Sequence, residues 1–150
     1  MVKALGAELV IRYRTENVKS ALSDWSGKDG ADVVLDFVGH ENFAASFDLV
    51  APYGTLVNTV ESDWPAGSNL MAEFKNISIK FVNIGWPQVM RDHAARLHQT
   101  HLLQDAAQMV DAGQLKPVVD RVYPLAQAGE AQRALEAGET LGRVVLEISQ

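Results

Sequence analysis

The chain has 150 residues, a net charge of −6, 47% hydrophobic and 21% charged residues, and no cysteine. One domain's length with ordinary composition allows a real core, and the negative balance argues against nucleic acid and anionic membrane surfaces. Without cysteine there is no disulfide, thiolate nucleophile or Cys-ligated zinc, and with no signal-peptide pattern and no apolar run near the roughly 18 residues of a spanning helix, a cytoplasmic protein is expected.

Met1 to Gly6 read as the last turn of a helix ending at a glycine, and Glu8 to Tyr13 as a short strand. Thr15 is a candidate N-cap for a helix that places Val18, Ala21, Leu22 and Trp25 on one face. Gly27 and Gly30 then frame the most informative stretch, Gly30-Ala31-Asp32-Val33-Val34-Leu35-Asp36-Phe37-Val38-Gly39. An apolar run bounded by glycines predicts a strand buried in a parallel sheet, and an acidic residue and a glycine at its carboxyl end mark where such sheets hold ligands. No glycine-rich phosphate loop occurs before it.

A second helix carries Phe43, Phe47 and Val50 and ends at Pro52-Tyr53-Gly54. Thr55 to Thr59 is the next strand, Glu61 to Ser68 a loop, and Ser68 the cap of a short helix with Leu70, Met71 and Phe74. Ile77 to Ile84 alternates like an edge strand and is broken by Gly85-Trp86-Pro87. The longest helix is predicted from about Asp92 to Ala112, with Leu102, Leu103, Ala106, Met109 and Val110 inward and Gly113 closing it. Extended chain around Pro117, a helix from about Ala126 to Ala137 and a strand from Arg143 to Ile148 complete the chain. Strands alternating with helices predict an α/β fold with a parallel sheet and flanking helices.

Six segments, in order, resemble the medium-chain dehydrogenase/reductase superfamily, the group of zinc-type alcohol dehydrogenases and quinone oxidoreductases. Lys3 to Tyr13 is similar to its "LGAD-x-VI-x-Y", Gly30 to Gly39 to "G-x-DVVLD-x-VG", and Pro52 to Val57 to "P-x-G-x-LV". Gly113 to Pro117 resembles "G-x-LKP", Tyr123 to Ala131 "FPL-x-x-A-x-EA", and Leu141 to Leu146 "GKVVL", with Arg143 where Lys is usual. The resemblance covers essentially the whole chain but only the C-terminal half of the family's enzymes. It implies a partial NAD(P)-binding Rossmann-like domain over residues 1–113 and, over 114–150, a segment that returns to a catalytic domain. The glycine-rich turn, the ribose-reading residue and any zinc ligands would belong to the other half.

In a doubly wound sheet the cofactor lies across the carboxyl ends of the strands. The resemblance implies that Val38, Gly39 and His40 after one strand, and Thr59 and Val60 after the next, flank NAD or NADP. The alternative is that they are simply strand-end turn residues. Gly85 and Trp86 occupy the matching place after the edge strand. Tyr13 either stacks near the adenine or covers the sheet rim, and Arg143 either reaches the phosphates or is a solvated charge. Asp36 looks ligand-facing, yet a buried carboxylate at a strand end fits bonding to the amides of its own loop better. His93, His98 and His101 fan over roughly 140° of one helix at about 100° per residue, too wide to converge on zinc, so no metal is assigned to this chain. No catalytic residue is assigned either; His40 has no Ser or Asp partner in sequence. The expectation is the cofactor-binding segment of an NAD(P)-dependent oxidoreductase, inactive alone. The alternative is a non-catalytic binding or dimerisation module, with homo-oligomers formed through the edge from Ile77 to Ile84.

Overall fold

The computed structural model describes residues 2–60, 63–64, 66–138 and 140–148. Six α-helices and five strands follow one another through the described residues, with short 3-10 helices at Val2–Leu5 and Leu125–Gln127: α1 (Val18–Ser26), β1 (Ala31–Asp36), α2 (Glu41–Leu49), β2 (Val50–Asn58), α3 (Ser68–Lys75), β3 (Ser78–Phe81), α4 (Trp86–Val89), α5 (His93–Asp111), β4 (Val119–Pro124), α6 (Ala128–Glu136) and β5 (Arg143–Glu147). They fall into two compact units, Met1–Trp86 and Pro87–Gln150. All strand pairing is parallel, in the order β1-β2-β3 in the first unit and β4-β5 in the second. The α/β fold with parallel sheets and flanking helices is therefore as the sequence predicts.

The register of the three-stranded sheet sorts its side chains. Val34, Leu56 and Ile79 lie abreast, as do Asp36, Asn58 and Phe81 one pleat further on. Because side chains alternate between faces, these two rows share the face packed by α2. Phe43, Phe47, Val50 and Leu56 form the buried cluster there, ringed by Val34, Ala72, Ile77 and Ile79. Phe43 and Phe47 meet edge-to-face at 5.1 Å, and Trp64 closes on both at 6.0 and 5.9 Å. Such aromatic pairs add about 1 kcal/mol each beyond area burial, so the loop carrying Trp64 is anchored to the sheet by its ring. Lys75, at the end of α3, donates to the carbonyls of Phe47, Asp48 and Val50 at 3.1, 3.3 and 2.9 Å. A cation placed on the unpaired carbonyls at a helix C-terminus satisfies them and complements the dipole, which joins α3 to α2.

Several local expectations are corrected. Residues 8–13 form no strand, because a strand needs a ladder partner and β1 pairs only with β2. The cap of α1 is Asn17, whose Oδ1 accepts from Ser20 N at 3.0 Å, whereas Thr15 Oγ1 closes a turn onto Arg12 O. Val50 starts β2 instead of ending α2. Between Ala31↔Val50 and Val33↔Thr55 the second strand carries a bulge, with Tyr53 at φ 63°, so Pro52-Tyr53-Gly54 bends a strand and does not stop a helix. The edge strand β3 is Ser78–Phe81, half the predicted length. Gly67, and not Ser68, is the N-cap of α3, and residues 61, 62 and 65 of the expected loop lie outside the described residues.

In the second unit α6 lies against β4 and β5 and buries Ala131. Helix α5 starts and stops almost as predicted, with Asp92 Oδ1 accepting from Ala95 N at 3.0 Å. Its expected inward stripe is not buried, however: Leu102 and Leu103 are 54% and 73% exposed. The two-stranded sheet of this unit is packed by α6, and the stripe on α5 stays largely exposed.

Gly30 makes the start of β1 possible. At φ 99° it sits so close to β2 that a Cβ would lie 2.7 Å from Ala51 N and from Leu49 O. Both contacts are to backbone, which has no room to give. Gly30→Ala should therefore cost roughly 2 kcal/mol or more, combining left-handed strain with overpacking. Denaturant melts would measure it, and a loss under about 0.5 kcal/mol would show that the two strands do not approach as described.

Candidate functional site

The carboxyl end of the three-stranded sheet is organised by one buried carboxylate. Asp36, the last residue of β1, is 5% exposed. Its Oδ1 accepts from both Val38 N and Gly39 N at 2.9 Å, and its Oδ2 accepts from Asn58 Nδ2 at 3.2 Å. Asp side chains favour such turns because the carboxylate reaches amides two and three residues on. The bonds turn the chain sharply after β1, and Gly39 takes φ 75°, a conformation that costs glycine nothing. His40 follows at φ 50°, ψ −120° as the N-cap position of α2, with no side-chain capping bond. A histidine in that region is strained, and strain of this kind concentrates at ligand-facing turns.

The second loop is tied to the first. Thr59 donates to Asp36 O through both its N–H, at 3.1 Å, and its Oγ1, at 3.2 Å. Asn58 is 1% exposed, and its Oδ1 accepts from Val60 N at 2.9 Å. After β3, Asn83 Oδ1 accepts from Gly85 N and Trp86 N at 2.9 and 3.1 Å, which gives the third strand end an analogous turn.

Of the predicted contacts, Val38, Gly39, His40, Thr59 and Val60 converge at this sheet end, with Val38 62% exposed, Gly39 buried, His40 exposed and Thr59 and Val60 half-buried. An open groove of about 740 Å³ runs beside β1, lined among others by Tyr13, Leu35, Phe37, Val38 and Asn42. Tyr13 and Val38 therefore border one concavity, although Tyr13 lies in a turn and is 72% exposed, with the Arg14 guanidinium 5.8 Å from its ring centre. Arg143 belongs to the second unit, where it opens β5 and donates its N–H to Val118 O at 2.8 Å. Asp36 bonds its own loop, which is the reading its position at a strand end favoured. Asn58 was missed; its only signal in sequence is a polar residue closing an otherwise apolar strand.

Among the described residues no group of three or more His, Cys, Asp or Glu side chains could hold a metal, and no helix is long and apolar enough to cross a membrane.

Residues 5–146 match the family model of a zinc-binding dehydrogenase. A highly reducing polyketide synthase of Aspergillus terreus is 30% identical over 141 residues, covering 93% of this chain and 5% of that protein. A probable zinc-binding oxidoreductase, mitochondrial, of Arthroderma benhamiae is 28% identical over 150 residues, covering 98% of this chain and 40% of that protein. Among solved structures, a quinone oxidoreductase of Pseudomonas syringae pv. Tomato DC3000 superposes with a TM-score of 0.72 at 27% identity over 97% of this chain and 44% of that one. An NAD-dependent alcohol dehydrogenase gives 0.73 at 26% over 98% and 40%. The chain thus spans less than half of each oxidoreductase it resembles.

The strand-end turns make a direct stability prediction. Asp36→Ala removes the acceptor of the Val38, Gly39 and Asn58 donors and leaves them without their partner. The expected cost is about 2–4 kcal/mol, read as a lower urea midpoint at unchanged slope. A cost below about 1 kcal/mol would mean that the turns hold without the carboxylate.

Proposed function

The chain belongs to the zinc-binding dehydrogenase family, and from that premise we propose that it forms one wall of a nicotinamide dinucleotide cleft in an NAD(P)-dependent oxidoreductase. The observation that carries this reading is the convergence of Val38, Gly39, His40, Thr59 and Val60 at the carboxyl end of a parallel sheet, on loops held together by Asp36 and Asn58. Ligands of open α/β sheets bind at that end. The exposed Val38 offers an apolar surface, and the short turns bring main-chain groups close to a flat ring system. Tyr13 borders the adjoining groove and is assigned the adenosine side. The bound nicotinamide supplies the hydride; the residues of this chain hold and orient it and exclude water from one side.

The names of its relatives support the coarse class. One is a probable zinc-binding oxidoreductase, and one solved neighbour is an NAD-dependent alcohol dehydrogenase. The zinc of the family's description finds no set of ligands among the described residues, and we assign none to this chain. We assign the activation of a carbonyl or alkene to no residue of this chain, and the chain alone is proposed to bind cofactor without turning it over. We retain residues 1–113 as the cofactor domain and 114–150 as the segment that returns to a catalytic domain. We place the protein in the cytoplasm, with which a chain free of cysteine is compatible.

Titration with NADH and NADPH tests the reading. Fluorescence enhancement and a rise of the unfolding midpoint are expected, since ligand at ten times its dissociation constant stabilises by about 1.4 kcal/mol. No signal up to millimolar cofactor would discard binding by this chain.

A second reading concerns assembly. The edge strand β3 presents Phe81 at 59% exposure, followed by Val82 at 47% and Ile84 at 79%. An exposed, alternating edge strand invites pairing with a second copy, and we propose a homodimer through the edge from Ile77 to Ile84. Size-exclusion with light scattering should give twice the chain mass, reverting to a monomer in Ile84→Lys, a change at an exposed residue; a monomeric wild type would end this reading.

A further inference from the structure

We propose that Asn58 is a positioning residue, holding the loops after β1 and β2 at the spacing the dinucleotide requires; this inference rests on the cofactor reading above. Asn58 is the most buried polar residue of the sheet end, and it bonds to all three strand ends at once. Its Nδ2 donates to Asp36 Oδ2 at 3.2 Å, its Oδ1 accepts from Val60 N at 2.9 Å, and its main-chain O accepts from Val82 N at 2.9 Å.

An amide is the one neutral side chain of this size that offers a donor and an acceptor from the same planar group. Here the donor half faces β1 and the acceptor half faces the loop of β2. The carboxylate that receives the donor is itself the acceptor for Val38 N and Gly39 N. Val38-Gly39 and Thr59-Val60 are therefore linked in series, Gly39 to Asp36 to Asn58 to Val60, with no water-filled step between them. A leucine at this place would match the core, and the strand is otherwise apolar there. A buried amide is kept where its bonds fix geometry that packing alone leaves free.

The bonding pattern also dictates a test, because it can be inverted without losing any of these bonds. In the exchanged pair Asp36→Asn with Asn58→Asp, the amide at 36 accepts from the Val38 and Gly39 amides and donates to the carboxylate at 58, which in turn accepts from Val60 N. Asn58→Asp alone sets two carboxylates against each other with no donor between them. Asn58→Leu keeps the volume and removes the link.

The dissociation constants for NADH and NADPH are to be measured well below each variant's unfolding midpoint, beside Phe47→Leu, a core change under α2 chosen for a matching loss of stability. Asn58→Leu and Asn58→Asp should each weaken binding about tenfold or more, the effect of losing a hydrogen bond to a charged group. The exchanged pair should return to within about threefold of wild type, and Phe47→Leu should leave affinity unchanged. If wild type binds and Asn58→Leu binds equally, or only as weakly as Phe47→Leu, the positioning role falls while the cofactor reading stands. If wild type itself does not bind, the cofactor reading fails and the role of Asn58 fails with it. Failure of the exchanged pair to recover, in a folded protein, would likewise overturn the role.

Discussion

A carboxylate removed from water must find its hydrogen bonds inside the protein, and at the end of β1 that requirement shapes everything around it. Asp36 is almost wholly enclosed, so an unpaired oxygen there would cost far more than any one contact returns. The donors available are the amides two and three residues on in its own chain and the side chain that lies abreast on β2. Meeting the requirement bends the chain after β1 and fixes the distance to the loop after β2. The turn that offers Val38 outward follows from satisfying a buried charge, and the strain at His40 is carried in the residue immediately beyond it.

The same sheet is only half enclosed. Parallel sheets are normally covered on both faces, and here α2 and α3 cover the row of Val34, Leu56 and Ile79. The opposite row is open along β1: Val33 is 59% exposed, Leu35 56% and Phe37 67%. A stripe left uncovered forgoes the burial that would extend the core to this face. That explains why the tight part of the core is small, centred on Phe43, Phe47, Val50 and Leu56. The proposed site lies at the end of the sheet, beyond this cluster, where the polar clasp of Asp36 and Asn58 holds its loops.

Much of this was legible in the residues because the signals were local. Asp92 announced α5 and Gly113 its end, and the apolar run before Asp36 announced β1. The same locality explains the errors. Residues 8–13 have strand character but form a ladder only if a neighbour offers one, which no property of those residues reveals. Val50 has equal merit as the last turn of a helix or the first residue of a strand; the bulge at Tyr53 decided it. The stripe on α5 has the period of a buried face, but period does not state whether a covering surface is present. Asn58 was hidden for a related reason. Its importance lies in a partner 22 residues away in sequence, and a single polar residue at a strand end carries no pattern.

How much of a cofactor's binding such a wall supplies can be argued from charge. The strongest attraction a fold offers a dinucleotide is between its phosphates and the amides at a helix N-terminus or glycine-rich turn. No G-x-G-x-x-G occurs in these 150 residues. What remains at the ends of β1 and β2 is mostly apolar and main-chain surface held rigidly in place. Such surface adds little long-range attraction but discriminates strongly by shape, because a loop fixed by buried hydrogen bonds cannot retreat from a misplaced ring. In the proposed enzyme, then, affinity would come chiefly from the phosphate-binding turn, and these strand ends would set the pose of the nicotinamide. Orientation of that kind counts in the transition state more than in the ground state. A buried aspartate and a buried asparagine, neither touching the ligand, would thereby act on rate through the geometry they impose on Val38 and Thr59.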